Sequence, residues 1–276
     1  MERLRFVIRR LRAADLSVGA AAVAYNSFLA MVPLSLAVVG VAAMFGDDAG
    51  ALARVEAALD PIAPEAVVTF VTSLMTDTAG RVGDGGVVLV VVSLLVSLFL
   101  GSRAVVALQR SLAVVAGGSE IRPPLQMRLV GLGLTVAGGL ALLVTSVALV
   151  AGGALFAFVA RFAGWEPIER LGTLLGLPLA AAGVFGFLML FYVLGPSSPV
   201  PRAGVAALVG VVGIVGGSLG FGLYLSTAPG LGATFGTLGA VAVALVWLYL
   251  GALSVLAGAV VAYALVDASI SESARQ

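Results

Sequence analysis

Residues 87–108 read VVLVVVSLLVSLFLGSRAVVAL, an apolar run whose single charged residue is Arg103. A helix of about 20 apolar residues is long enough to cross the hydrocarbon core of a bilayer. A strand of a membrane β-barrel would instead alternate apolar and polar residues over about ten positions. This stretch therefore predicts a membrane-spanning helix.

The whole chain has the same character. It has 276 residues, of which 61% are hydrophobic and 11% charged, and its mean hydropathy is +1.16. Soluble domains carry about 25% charged residues, and disordered chains combine low hydrophobicity with high net charge. The composition excludes both classes and indicates an integral membrane protein.

Five more apolar runs predict an all-α, polytopic membrane protein with six transmembrane helices. Together the runs form one predicted transmembrane domain over residues 18–266, because every one of them has to be buried in the same bilayer. The six runs are Val18–Phe45, Gly86–Leu108, Leu129–Val159, Leu171–Leu194, Ala203–Leu225 and Gly236–Val266.

Loop charges predict the orientation. All 15 basic residues are arginine, and with six spans 11 of them fall on the side of the N terminus and four on the other side. Because cytoplasmic loops are enriched in Lys and Arg, both termini are predicted to be cytoplasmic, in an inner membrane. Residues 1–17 are predicted to form a basic amphipathic segment on the membrane surface, and residues 267–276 a cytoplasmic tail.

One connection, residues 46–85, is long enough to fold by itself. Asp47 or Asp48 is expected to cap an amphipathic helix that ends at Asp60-Pro61. Pro64 suits the start of a second amphipathic helix, and Arg81–Gly86 is predicted to be a turn. The pair could pack on the outer helix ends or form a lid over a cavity.

Small residues in the fifth run predict close helix packing. Four glycines are spaced so that two pairs each lie four residues apart, the arrangement that lets helices approach closely in lipid. We expect this packing within one chain rather than between copies. The four are Gly213, Gly216, Gly217 and Gly220.

Three arginines on the predicted cytoplasmic side are candidates for binding substrate or lipid headgroups. Arg103, beside Ser102, is expected about five residues inside the end of its span, where it either snorkels to the headgroups or binds an anion. Arg110 is seven residues further along and shares its helix face. Arg202 begins a span on the same side and could complete an anion-binding patch.

Tyr25, Asn26 and Ser27 interrupt the first span and are candidates for the same site. Three adjacent polar groups in a membrane helix predict either hydrogen bonding to a neighbouring helix or the wall of a cavity.

The residue types that the sequence lacks exclude most kinds of catalytic chemistry. The chain has no His and no Cys, so the commonest general base, the thiolate nucleophile and the usual zinc ligands are missing. We predict no catalytic residues, no metal and no cofactor, and therefore no enzyme. A net charge of +1 does not favour nucleic-acid binding. The expected partners are membrane lipids with anionic headgroups.

Several motifs carry a resemblance to a known family, the YihY/BrkB family of inner-membrane proteins. Each motif is similar to a family signature, and together they cover nearly the whole chain. They are Ala22–Leu29 followed by Pro33, Ser102-Arg103, the proline turn with Pro196 and Arg202, and Phe235–Ala240 with Trp247-Leu248-Tyr249 and Gly258-Ala259.

The resemblance implies a six-helix inner-membrane protein with suggested roles in virulence, serum resistance, or export and flipping of lipid-linked material. An old family label as a ribonuclease finds no support in these residues. The chain departs from the family pattern at Val260, where a Glu is usual, at Phe235, where a Tyr is usual, and at Asn26, where another aromatic is usual.

Two functions follow as hypotheses. The first is a transporter or flippase-like protein for an anionic or lipid-linked substrate in envelope biogenesis. The second is a membrane scaffold or regulator of envelope assembly that has no transport cycle.

Overall fold

Helices account for nearly all of the described chain. The computed structural model describes residues 16–44, 48–118, 122–163, 167–227 and 230–273, and these ranges contain no strand. Residues 1–15 of the basic segment predicted at the N terminus lie outside them, and its last two residues begin the first described helix. Seven helices follow one another in the described ranges: α1 Leu16–Met44, α2 Asp48–Leu59, α3 Glu65–Val115, α4 Pro124–Ala163, α5 Pro167–Leu194, α6 Ala203–Thr227 and α7 Gly230–Ser273.

Five stretches in the described ranges are long and apolar enough to cross a membrane. A shorter apolar helical stretch, Pro178–Leu194, lies within α5. Helix is the expected form, since hydrocarbon offers backbone N–H and C=O groups no other partners. The five stretches are Leu16–Ala42, Val87–Val115, Pro124–Thr145, Ala203–Thr227 and Gly239–Val266.

The predicted turn at Arg81–Gly86 is not a break in the structure, because α3 is helical from Glu65 to Val115. Its axis nevertheless changes direction. Phe28 of α1 stacks on Phe70, whereas a methyl group on Gly19 would overlap the side chain of Ser111. Those two contacts are about 14 Å apart along α1 but about 61 Å apart along a straight α3. The helix therefore bends between them, over a stretch that contains the glycine-rich segment.

Other boundaries also differ from the prediction. Helix α7 begins at Gly230, before the predicted start of the sixth run at Gly236, and it continues into the predicted tail as far as Ser273. Both extensions lie outside the stretch Gly239–Val266 that is apolar and long enough to cross a membrane.

The central core forms where α5, α6 and α7 meet. The fully buried hydroxyl of Tyr192 donates a hydrogen bond to the carbonyl oxygen of Val255 at 2.6 Å. A methyl group on Gly258 would lie 2.9 Å from that hydroxyl oxygen and 3.2 Å from the amide nitrogen of Gly210, and closer still to the carbonyl oxygen of Ala206. Two glycines thus make room for one tyrosine, and the three helices pack around it.

A second core joins α1, the beginning of α3 and α7. Buried Val67, Val71 and Met75 pack with Val39 and Val243. The same region contains a hydrogen bond of 2.9 Å from the indole Nε1 of Trp247 to the hydroxyl of Ser218. The first turns of α3 therefore pack against the bundle rather than extend away from it.

Prediction for the glycine at the helix junction. Gly258→Ala should lower the free energy of unfolding by about 1–3 kcal/mol, because the added methyl meets backbone atoms that cannot move aside. Gly251→Ala is the matched control on the same helix, since its methyl would enter open space. That control should be neutral or raise stability by up to about 1 kcal/mol. Thermal unfolding in detergent measures both, and equal effects would contradict the packing described here.

Candidate functional site

Arg103 lies on the exposed face of α3, where Arg110 and Phe99 are also exposed. Spacings of four and seven residues put these three side chains on one stripe of the helix. Within the described ranges, neither arginine makes an ion pair or a hydrogen bond. The stripe therefore presents two positive charges outward, with no described carboxylate beside them.

The position of Arg103 along its helix differs from the prediction. Because α3 continues to Val115, Arg103 lies 12 residues before the end of the helix instead of about five, which corresponds to about 18 Å along the axis. The stretch Val87–Val115 has 29 residues, more than the about 20 residues that cross a bilayer core, so the end of α3 does not mark the level of the headgroups.

Ser102 does not offer its hydroxyl proton to a ligand. The side chain is buried, and it donates a hydrogen bond to the carbonyl oxygen of Phe99 at 2.7 Å. A methyl group on Gly131 of α4 would lie 3.2 Å from the carbonyl oxygen of Ser102. The residue therefore marks the line of contact between α3 and α4.

Arg202 occupies an exposed turn immediately before α6, and its φ of 50° is left-handed. Its carbonyl oxygen accepts bonds from the amides of Val205 and Ala206 at 2.8 and 3.2 Å, which starts the helix. Guanidinium groups only donate hydrogen bonds, so no direct bond between these arginines is expected. The three-arginine patch predicted from the sequence stays a prediction.

The polar triplet of α1 lies at the depth of Arg103. Eight residues separate Ser27 from Gly19, and eight separate Arg103 from Ser111, so the antiparallel helices place Ser27 and Arg103 about 12 Å from the same contact. Tyr25 is 58% exposed, and Ser27 is half-buried. Depth, however, is the only relation that the structure gives between these residues and Arg103.

The side chain of Asn26 makes only part of the hydrogen bonds that its amide group can form. Its amide nitrogen donates to the carbonyl oxygen of Ala22 at 2.7 Å, while its buried Oδ1 has no hydrogen-bond partner. Within the described residues it therefore retains one free acceptor.

The glycines of α6 divide into two sets. A methyl group on Gly213 would lie 2.8 Å from the Cβ of Ser254 on α7, and one on Gly217 would lie 3.9 Å from the Cβ of Leu250. Gly216 and Gly220 are exposed, and a methyl group there would meet no described atom within 4 Å. The predicted small-residue packing is therefore placed at Gly213 and Gly217, and not at the other pair.

Two further residues escaped the sequence reasoning. The guanidinium carbon of Arg128, on α4, lies 5.1 Å from the centre of the Phe99 ring, in a cation–π contact. Gln109 of α3 is 0% exposed, and neither its Nε2 nor its Oε1 has a hydrogen-bond partner. The signal for Arg128 was its position at the start of an apolar run. The signal for Gln109 was an amide between two apolar turns.

A comparison with known protein families identifies the family of the chain. The family model described as "Virulence factor BrkB" matches residues 7–276. The chain belongs to the BrkB family. A BrkB-like relative in Methylibium petroleiphilum, named UPF0761 membrane protein Mpe_A1422, is 28% identical over 272 residues. The aligned region is 95% of this chain but 62% of that relative, so the chain spans about three fifths of its length. No solved structure matches the chain.

The BrkB resemblance also bears on Val260. This side chain is fully buried in the central core, beside Leu256 and Ala259. A glutamate, which the resemblance implies is usual there, would place a carboxylate inside that core. In this chain the position is apolar and contributes packing instead of charge.

Prediction for the buried amide. Gln109→Met replaces the unpartnered amide with an apolar side chain of similar length and should raise the free energy of unfolding by about 1–3 kcal/mol. Leu112→Met is the control, because it changes a buried apolar side chain one turn away and should lower stability slightly. Thermal unfolding of both variants in the same detergent measures the difference. A less stable Gln109→Met variant would show that the amide has a partner in solution.

Proposed function

We propose that this BrkB-family membrane protein is a transporter or flippase-like protein for an anionic or lipid-linked substrate in envelope biogenesis. The proposal includes six transmembrane helices, both termini in the cytoplasm and an inner-membrane location. It also includes membrane lipids as partners and no enzymatic activity, nucleic-acid partner or cofactor.

The topology part is supported by helix lengths and charges. In addition to the five apolar spans there is the shorter apolar stretch Pro178–Leu194. It belongs to α5, a helix of 28 residues. Its full length of about 42 Å is enough to cross a bilayer. With six spans, 11 of the 15 arginines fall on the side of both termini, as expected for a cytoplasmic side.

Arg103 is the observation that carries the transport part. An arginine at the centre of a membrane helix costs about 2.5–3.5 kcal/mol on insertion scales. Arg103 is exposed within the apolar stretch Val87–Val115, and no described carboxylate neutralises it. An anionic substrate group would supply the missing charge, and this is a reason to keep an arginine at such a position.

The non-enzymatic part is supported by composition. Hydrolytic and transfer reactions need a nucleophile with an adjacent base, or a metal-bound water. The chain contains neither His nor Cys, and we assign no such pair among its Ser and Thr hydroxyls. Several of these hydroxyls donate to carbonyl oxygens of their own helices, as Ser111 does to Ala107 at 3.0 Å.

A scaffold is the second candidate, and dense packing favours it. Beside Tyr192, a methyl group on Gly258 of α7 would meet the carbonyl oxygen of Ala206 and the amide nitrogen of Gly210 on α6. A protein whose helices are fixed in this way could organise other membrane proteins without a transport cycle. The packing at this junction and the free charge at Arg103 thus favour different functions.

Prediction for Arg103. In liposomes with the purified full chain, we expect inward movement of a fluorescent phosphatidylglycerol above the rate in empty liposomes. Arg103→Ala should reduce that rate about tenfold or more, and Arg103→Lys should retain part of it, because the positive charge is kept. Arg54→Ala, on α2, is the control and should be as fast as the wild type. A wild-type rate equal to that of empty liposomes would favour the scaffold.

A further inference from the structure

We propose that Phe99, Arg103 and Arg128 form a lateral binding site for the phosphate group of an anionic lipid of the inner leaflet. We call these three residues the α3–α4 arginine site. The proposal names the substrate class of the transporter and rests on the proposed function for its role in transport. Lipid binding itself is a separate property and is measured separately.

The two arginines lie on different helices, and each is related to Phe99. Arg103 is one turn after Phe99 on the exposed stripe of α3. Arg128, on α4, directs its guanidinium back to the ring of Phe99, 5.1 Å from the ring centre. The ring is 44% exposed, so the charges held around it are open to the surroundings of the protein.

The seam between α3 and α4 is narrow at this level. A methyl group on Gly131 would lie 3.1 Å from Cγ2 of Val106, and one on Gly101 would lie 2.8 Å from Cγ2 of Thr135. Small residues at both crossings let the backbones approach closely. The side chains of Arg103 and Arg128 therefore reach the outer surface from the two sides of one closely packed helix pair.

Charge favours a phosphate. The carboxylates with described side chains are Glu56 of α2, Asp60 in the turn after it, and Glu65 and Asp77 of α3, and all four precede the glycine-rich segment. No ion pair of Arg103 or Arg128 lies within the described ranges. Two guanidinium groups can bind the oxygens of one phosphate through paired N–H donors, a geometry that an ammonium group cannot match.

The apolar surface beside the arginine site favours a lipid over a soluble anion. Large hydrophobic side chains continue along both helices away from the cytoplasmic end, and they are exposed. Acyl chains attached to a phosphate at the arginine site would lie along this surface. The exposed residues are Leu95 and Val96 on α3 and Leu132 and Val136 on α4.

The site adds Arg128 to the residues that the sequence predicted, because α4 packs along α3 at this level. Arg110 extends the same exposed stripe of α3 two turns toward its end and adds positive potential along the approach of an anion.

Prediction for lipid binding. Native mass spectrometry of the full chain in detergent, titrated with phosphatidylglycerol, should give binding that phosphatidylcholine does not match. Arg103→Gln and Arg128→Gln should each weaken phosphatidylglycerol binding about fivefold or more, and Arg128→Lys should weaken it less. Arg54→Gln removes an equal charge on α2 and should change binding less than about twofold. Thermal unfolding confirms that each variant is folded.

Each of the following three outcomes would overturn one part of the proposals. If Arg128→Gln binds phosphatidylglycerol as tightly as Arg54→Gln, the α3–α4 arginine site is wrong. If inorganic phosphate displaces phosphatidylglycerol at equal concentration, the site takes a soluble anion and the lipid assignment is wrong. If Arg128→Gln loses lipid binding while the wild type shows no lipid movement in liposomes, the site stands and the transport proposal fails.

Discussion

The structure depends on one constraint, the need of every backbone N–H and C=O group in hydrocarbon for an internal partner. Helices meet this need within one segment, and all five described stretches that are long and apolar enough to cross a membrane are helical. Helix α3 also stays helical through the four glycines between Gly80 and Gly86, which lie before its membrane stretch begins at Val87. There the glycines coincide with a bend in α3 instead of a break.

Once the helices are formed, their association depends on small residues and on few polar contacts. In lipid, apolar helices gain no hydrophobic free energy by associating, so close packing and hydrogen bonds have to stabilise their contacts. Tyr192 combines both, since its ring fills the space left by Gly210 and Gly258 while its hydroxyl bonds Val255. Arg122 does the same at the end of α5, where it donates to the carbonyl oxygens of Leu194 and Gly195 at 3.1 and 2.9 Å.

The sequence could predict what depends on one helix at a time. The apolar runs predicted the helical class, and the spacing of Arg103 and Arg110 predicted one shared face. Contacts between residues of different helices could not be predicted from the sequence. Arg128 joins the site only because α4 crosses α3 at Gly131. Gln109 was missed for the same reason, because burial depends on neighbours that no single run of letters specifies.

Helix α3 carries polar groups on two different sides, one buried and one exposed, and it contributes residues to the proposed binding site. Gln109 is turned into the core between Val105 and Leu112, whereas Arg103 and Arg110 are exposed. Consecutive residues of a helix are 100° apart, so a buried Gln109 next to an exposed Arg110 fixes the rotation of α3 closely. An anion held between Arg103 and Arg128 would bind the exposed side of α3, while the unpartnered amide of Gln109 lies on its buried side. The same helix packs in both cores, through Leu112 and Val115 in the central one and through Val67, Val71 and Met75 in the second.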